Sequence, residues 1–226
     1  QGRAVVLVDT GTARTAEYSR SAHAAPLAFE YSFGRDRVFV NCGAMSEHGE
    51  WFEALRATAA HSTLTIEHRN AVSIDKDGCF SGLPQIDAEL LQQDGTCLME
   101  GTHDGYMARY GARHQRRLYL KDAGNGLIGE DKLLGCTPGT QFAIRFHLHP
   151  TSTASLTGNG DEVLIQTKSK TGWRFKCRGA ENIELDESVY IGHRGHIRRS
   201  RHIIIRGRAE ADETIVKWGV SRILDR

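Results

Sequence analysis

Histidine is the residue type that most directly suggests chemistry here, with eleven in a chain of 226 residues. Imidazole exchanges protons near neutral pH and is a common metal ligand, so clustered histidines mark candidate sites. Three groups stand out: His23 and His61 with Asn41 between them, His147-Leu148-His149, and His103-Asp104-Gly105-Tyr106 with His114 nearby.

His147 and His149 stand two residues apart in a predicted strand, so both side chains point to one face. Such a pair can chelate a metal ion, which would suit a metal-dependent enzyme acting on a small molecule. The alternative is two exposed or hydrogen-bonded histidines on a polar sheet face. An isolated H-x-H is a weak signal and no Glu follows within a few residues, so the alternative is favoured.

His103 and Tyr106 offer an imidazole and a phenol for proton transfer. Residues three apart in an extended segment point to opposite faces, so they act together only if Asp104-Gly105 forms a turn. A purely structural turn is the favoured interpretation, and the two residues stay secondary catalytic candidates.

A basic segment covers residues 193–208, with six arginines, three histidines and no acidic residue. The guanidinium fork suits carboxylate and sulfate groups, which predicts a site for an acidic polysaccharide. The predicted contact residues are Arg194, Arg198, Arg199 and Arg201. A solvated turn and strand edge is the alternative. No RNA- or DNA-binding motif accompanies the segment, so no nucleic-acid partner is predicted.

The elements that must position these residues are mostly short strands separated by turn residues. Hairpin signals occur at Gly34-Arg35-Asp36, Gln93-Asp94-Gly95 and Asp122–Gly126. Helical spacing is confined to Glu50–Ala60, which predicts one short helix or an ordered loop. The pattern predicts an all-β fold, a large sandwich of two antiparallel sheets with at most one or two short helices. No linker or repeat interrupts it, so residues 1–226 are predicted to form one domain.

Composition narrows the function classes further. Hydrophobic residues make up 39% and charged residues 25%, which is typical of a globular domain. No run approaches the roughly 20 apolar residues of a membrane helix, so no membrane insertion is predicted. The net charge is +1, so a polyanion site must come from local clustering. Five cysteines without a C-x-x-C pair are read as free thiols.

Several motifs resemble the C-terminal sandwich of the heparinase II/III-like family. Residues 21–30 and 37–43 look like its H-A-x-x-L-x-F-E strand and the following V-D-x-G strand. Residues 51–64 look like its W…R-x-T-x-A-H-N-x-L segment, and residues 103–120 like its H-D-G-Y…H-R-R-x-L-x-L. The order and spacing agree over most of the chain, from about Val5 to Trp218.

The resemblance implies a polysaccharide lyase that cleaves a uronate-containing, heparin- or heparan-like polysaccharide by β-elimination. Complete members carry an N-terminal α/α toroid, which supplies a catalytic Tyr and forms a cleft with the sandwich. That toroid is not expected in this chain, so the chain is expected to be inactive alone. The alternative is a non-catalytic carbohydrate-binding or scaffold module. Family lyases are usually periplasmic, which implies the periplasm or cell envelope, with the cytoplasm as the alternative.

The resemblance also assigns individual positions. The family's H-x-H before the L-x-F-E strand reads Ser21-Ala22-His23 here, so Ser21 stands at the catalytic His position. The family's structural zinc ligands carry over to His23, Asn41 and His61. Asn is a neutral and weaker ligand than Asp, but zinc or another divalent metal is the cofactor implied.

Overall fold

The computed structural model describes residues 2–11, 18–45, 50–93, 96–121, 124–192, 195–210 and 212–224. Nearly all regular structure in these ranges is strand. The strands are β1 Ala4–Val8, β2 Phe29–Phe33, β3 Asp36–Val40, β4 Leu64–Ile66, β5 Ser73–Ile74, β6 Phe80–Ser81, β7 Ile86–Gln93, β8 Thr96–Tyr106, β9 Ala112–Lys121, β10 Gly126–Leu134, β11 Gln141–Leu148, β12 Thr153–Leu156, β13 Glu162–Gln166, β14 Gly172–Arg178, β15 Asn182–Ile191, β16 Ile197–Arg208 and β17 Glu213–Arg222.

Two antiparallel sheets contain all of these strands except the short ribbon β5–β6. The first sheet has the order β1-β2-β3-β11-β16-β15, with β4 also paired to β11. The second has the order β12-β13-β14-β17-β10-β9-β8-β7. The described helices are α1 at Glu50–Arg56, α2 at Met107–Tyr110 and a 3-10 turn at Thr58–Ala60. The prediction of a two-sheet antiparallel sandwich with one or two short helices is confirmed.

Aromatic side chains from both sheets fill the space between the layers. Phe29 of β2 stacks on Trp218 of β17 with ring centroids 5.4 Å apart. Phe146 of β11 meets the same indole edge to face at 4.6 Å. Burying each aromatic ring contributes on the order of 2 kcal/mol, so this cluster is a main reason the two sheets stay together.

The segment between β3 and β4 was predicted as one short helix or an ordered loop over residues 50–60, and only its first part is α-helical. The α-helix ends at Arg56, because Ala57 adopts an extended conformation with ψ of 147°. Thr58 then turns inward. Its N–H donates to Asn70 at 2.9 Å and its hydroxyl donates to the carbonyl of Ala24 at 2.5 Å. Tertiary hydrogen bonds of Thr58 therefore end the α-helix at Arg56.

Strand β15 was missed in the sequence because its side chains do not alternate cleanly between buried and exposed. It pairs along its whole length with β16, from Asn182 opposite Arg206 to Ile191 opposite Ile197. The basic segment is therefore one strand of a long edge hairpin. No helix in the described ranges has the length and apolarity to cross a membrane.

Candidate functional site

His23 and His61, two of the three predicted metal ligands, form a hydrogen bond with each other. His61 Nδ1 donates to the carbonyl of Ala57 at 2.9 Å, which leaves its Nε2 as an acceptor. His23 Nδ1 lies 2.9 Å from that nitrogen and is therefore the donor. Burial, and then the neighbouring His23, lower the pKa of His61 to about 4. Burial and the charge of Arg56 lower the pKa of His23. Both rings are neutral at pH 7.

Asn41 lies next to this pair but directs its amide elsewhere. Its side-chain oxygen accepts the N–H of Ser62 at 2.8 Å, and its amide nitrogen donates to Glu30 at 3.4 Å. A metal bound by His23, Asn41 and His61 would have to replace the bond between the imidazoles and compete for the Asn41 oxygen. No cluster of three or more His, Cys, Asp or Glu suited to a metal occurs in the part of the chain described. These donors fit zinc poorly, and the zinc assignment stays a prediction.

Ser21 lies exposed on a turn two residues before His23. Arg56 anchors this loop by donating to the carbonyls of Ser19 at 2.9 Å and Ala22 at 2.8 Å. A third bond reaches the carbonyl of Gly78 at 2.7 Å. The loop is well anchored, but a serine hydroxyl is not basic near neutral pH. Ser21 alone therefore cannot perform the proton transfer of an imidazole at this position.

His103 and His114 belong to a buried relay of neutral rings. The N–H of Gly105 donates to His103 Nδ1 at 3.2 Å, so the proton of His103 lies on Nε2. That proton is donated to His114 Nδ1 at 3.1 Å, and His114 Nε2 donates to Asp131 at 2.6 Å. Burial is the main cause that lowers the pKa of both histidines.

Asp131 is the acceptor at the end of this relay and collects two further donors. Arg116 Nε and Trp218 Nε1 each donate to its carboxylate at 2.7 Å. Burial alone would raise the pKa of Asp131, but the charge of Arg116 and the bond from His114 hold it well below its usual range. Arg116 also donates to the carbonyls of Leu27 and Ser62 at 2.9 and 2.8 Å. The network therefore ties the second sheet to the loops of the first.

Tyr106 lies close to His103 because a bulge in β8 changes the register between them. Their ring centroids are 5.7 Å apart. The Tyr106 hydroxyl donates to the carbonyl of Leu64 at 2.9 Å, and burial raises its pKa. The structure thus brings these two candidates together but buries both, which points to a structural role for the motif.

His147 and His149 separate into different environments. His147 is buried, with Nε2 donating to the carbonyl of Ala59 at 3.1 Å and Nδ1 lying 2.8 Å from the Ser188 hydroxyl. The Cys42 thiol lies 3.3 Å from the same Nδ1, and burial raises the pKa of that thiol to about 11. The sequence did not predict that Cys42 and Ser188 contact His147, because they lie 105 and 41 residues away from it in the chain.

The predicted arginine site is divided by strand geometry. Arg198 pairs with Tyr190 on β15, whereas Arg199 pairs with Val189 and Arg201 with Glu187. Alternation along β16 puts Arg198 on one face and the other two on the opposite face. All three are exposed, and Arg201 donates to the carbonyl of Leu185 at 2.8 Å. Arg194 lies outside the described residues.

Further polar and aromatic residues, not predicted from the sequence, lie on the Arg198 face. Arg37 Nη1 donates to the Tyr190 hydroxyl at 2.7 Å. The ring of His149 lies against Tyr190 with centroids 5.2 Å apart. Their sequence spacing gives no signal, because β3, β11 and β15 are neighbours only through the sheet order.

Comparison with known proteins places this architecture among described ones. The family profile described as "Heparinase II/III-like, C-terminal" matches residues 1–219. The curated "FtsZ-localized protein C" of Caulobacter vibrioides (strain NA1000 / CB15N) is 28% identical over an alignment of 240 positions, which covers 98% of this chain and 41% of that protein. The chain thus spans less than half of that relative's length.

Two solved structures share the fold at low sequence identity. A mutant of heparan sulfate lyase HepC from Pedobacter heparinus superimposes with a TM-score of 0.79 at 14% identity, over 99% of this chain and 34% of that one. A crystal structure of heparinase III superimposes with a TM-score of 0.74 at 14% identity, over 97% of this chain and 33% of that one.

Proposed function

The chain belongs to the heparinase II/III-like family as its C-terminal domain, and from this premise we propose that it is the sandwich of a polysaccharide lyase. The proposed substrate is a uronate-containing acidic polysaccharide of the heparin or heparan type. In this proposal the sandwich binds the polymer, and proton transfer depends on residues of a further domain of the whole protein.

The proposed reaction sets clear demands on the site. The proton at C5 of a uronate lies next to a carboxylate and is only weakly acidic, so a cation or hydrogen-bond donor must stabilise the enolate-like transition state. A base then removes the proton, and an acid protonates the oxygen of the leaving sugar. Arginine guanidinium groups meet the first demand, because they bind carboxylates through paired hydrogen bonds.

One observation carries the assignment of binding rather than proton transfer. The sandwich exposes Arg37 and Arg198 beside the edge hairpin, whereas the buried His103 and Tyr106 have no access to a polymer. His61 is buried and hydrogen-bonded as well. Cations are therefore available to an acidic polymer where the candidate acids and bases are not.

The test measures binding and turnover separately on the same purified chain. We expect retention on a heparin column that weakens with rising salt, and no retention on an uncharged dextran column. Incubation with heparan sulfate should produce no unsaturated uronate, measured by its ultraviolet absorbance. Lack of retention at low salt would refute the binding role. Release of unsaturated product would refute the proposal that proton transfer depends on a further domain.

A second candidate is a non-catalytic scaffold module, favoured by Ser21 at the family's catalytic His position. The name of the relative from Caulobacter vibrioides describes a protein localised with FtsZ. For this chain, that name supports a role in positioning a partner rather than cleaving a sugar. Co-sedimentation with FtsZ polymers tests it, and a chain that stays in the supernatant while binding heparin would exclude this candidate.

A further inference from the structure

Tyr190 is the centre of a patch that draws on both strands of the edge hairpin and on neighbouring strands. Its ring is half-buried, its hydroxyl accepts from Arg37, and His149 contacts it from the side. Arg198 is its cross-strand partner and projects from the same face. Arg37 and Arg198 are both exposed, so the ring is flanked by two permanent cations that reach solvent.

Asp36 brings a third cation to this face. Its carboxylate accepts the Thr167 hydroxyl at 2.7 Å and the backbone N–H of Ser169 at 3.3 Å, and the Ser169 hydroxyl also bonds to it. These bonds hold the turn between β13 and β14 against the start of β3. The exposed Lys168 lies in that turn, between the two residues that bind Asp36.

Three cations of this face lower the pKa of His149. Burial is the first cause that lowers the pKa of His149, followed by the charges of Arg37, Arg198 and Lys168, while Asp36 opposes them. The Asp36 carboxylate is buried and fully engaged by its hydrogen bonds. The face presented to solvent is therefore positive around an aromatic ring.

We propose that the Tyr190 patch, formed by Arg37, His149, Lys168, Tyr190 and Arg198, binds one anionic sugar unit of a polysaccharide. The sugar ring packs on the Tyr190 ring, and its carboxylate or sulfate is bound by Arg37 and Arg198. Arg37 uses one N–H on Tyr190 and keeps others for the ligand. This inference rests on the proposed function and places its binding site on one face of the hairpin.

An acidic sugar fits this patch better than a nucleic acid does. Nucleic-acid surfaces of comparable charge generally present several aromatic rings on which successive bases stack. Here one tyrosine is held in place by Arg37, and Arg198 is its cross-strand partner, so the patch offers one ring and not a row of them. The open surface also suits a segment of a long polymer more than an enclosed small molecule.

The test titrates a heparin hexasaccharide into the full chain by calorimetry, with variants of matched charge. Arg198→Ala and Tyr190→Ala should each weaken binding by about tenfold or more, since a charge-assisted contact or a stacked ring is lost. Arg199→Ala and Arg201→Ala remove the same charge from the same strand but the opposite face. We expect them to weaken binding by less than about threefold.

The outcomes separate the location of the site from the function itself. Equal losses for Arg198→Ala and Arg199→Ala would mean that only net charge matters and would overturn the patch. An unchanged affinity of Tyr190→Ala would also overturn it. A wild-type chain that does not bind the hexasaccharide would overturn the proposed function as well. An oligothymidylate that competes with equal affinity would overturn the assignment of a sugar ligand and show that the patch binds polyanions in general.

A spectroscopic readout distinguishes the patch from a merely structural role of its residues. Bound anions stabilise the imidazolium form, so the hexasaccharide should raise the pKa of His149 in an NMR titration. This rise should disappear in Arg198→Ala, where the anion is no longer held near the ring. A pKa of His149 that does not change on addition of the sugar would refute binding at Tyr190.

Discussion

Replacing Asp131 by Asn tests whether the buried network between the sheets stabilises the fold. The carboxylate accepts bonds of 2.6 Å from His114 and of 2.7 Å each from Arg116 and Trp218. An Asn oxygen can keep the two donors on Oδ1, but its amide group then faces the Trp218 N–H, donor against donor. The substitution also leaves the buried guanidinium of Arg116 without its counter-charge.

The magnitude follows from what each residue loses. Breaking a fully buried ion pair by removing one partner costs about 3–5 kcal/mol. Arg116 retains two backbone carbonyl acceptors, which limits its loss and puts the expected value near the lower end, about 3 kcal/mol. The free energy of unfolding of a domain is typically roughly 5–15 kcal/mol, so the Asp131→Asn variant should still fold but should unfold at a much lower urea concentration.

The assay is urea unfolding at pH 7, followed by circular dichroism, with Glu213→Gln as the matched control. Glu213 lies on the neighbouring strand β17, and its exposed carboxylate pairs with Lys132 at 3.3 Å. Such surface pairs contribute less than about 1 kcal/mol. A free energy of unfolding for Asp131→Asn within about 1 kcal/mol of the control would refute the reasoning.

Three further predictions concern the loops. Burial lowers the pKa of His61 to about 4, so between pH 6.5 and 4 the unfolded chain protonates this histidine and the folded chain does not. Other buried histidines add to the loss of stability in this range, so urea unfolding should show a loss that is smaller by about 2 kcal/mol in His61→Gln than in the unchanged chain, and equal losses would contradict this. Arg56→Met leaves three carbonyls without their donor and should lower the free energy of unfolding, measured with urea, by about 3 kcal/mol. Glu53→Gln removes the exposed partner of Arg56 and should lower it by less than about 1 kcal/mol, so equal effects would contradict this prediction. Both Gly43 and Gly82 have positive φ, but a Cβ at Gly43 would lie 1.8 Å from a carbonyl of β15. Gly43→Ala should therefore lower the melting temperature much more than Gly82→Ala, and similar shifts would refute this.

Much of the fold could be predicted from local features of the sequence. Short alternating segments and the turn at Gly34-Arg35 predicted the β2–β3 hairpin, and the repetition of such segments predicted the sandwich. The sequence left Glu50–Ala60 open as one short helix or an ordered loop, because the end of the helix is set by hydrogen bonds of Thr58 to distant residues. β15 was missed because a half-exposed edge strand lacks the alternation that marks a buried one.

The candidate sites were predicted less completely, because chemistry depends on burial and on partners distant in sequence. The sequence brought His23 and His61 together only through the family motif, and the tautomers that leave both neutral follow from carbonyls such as that of Ala57. His103 and Tyr106 read as possible proton donors until the core buried them.

The arginine-rich segment shows most clearly what each level decides. The sequence by itself determined that a locally positive strand exists, because the local charge of a segment depends only on its composition. Alternation of period two already implies that neighbouring arginines point apart. Only the tertiary structure decided which of them joins Arg37, Lys168 and Tyr190, because sheet pairing and the Asp36 bonds bring together residues more than 100 positions apart. Periodicity is a local property of the chain, whereas a binding surface is a property of its long-range contacts.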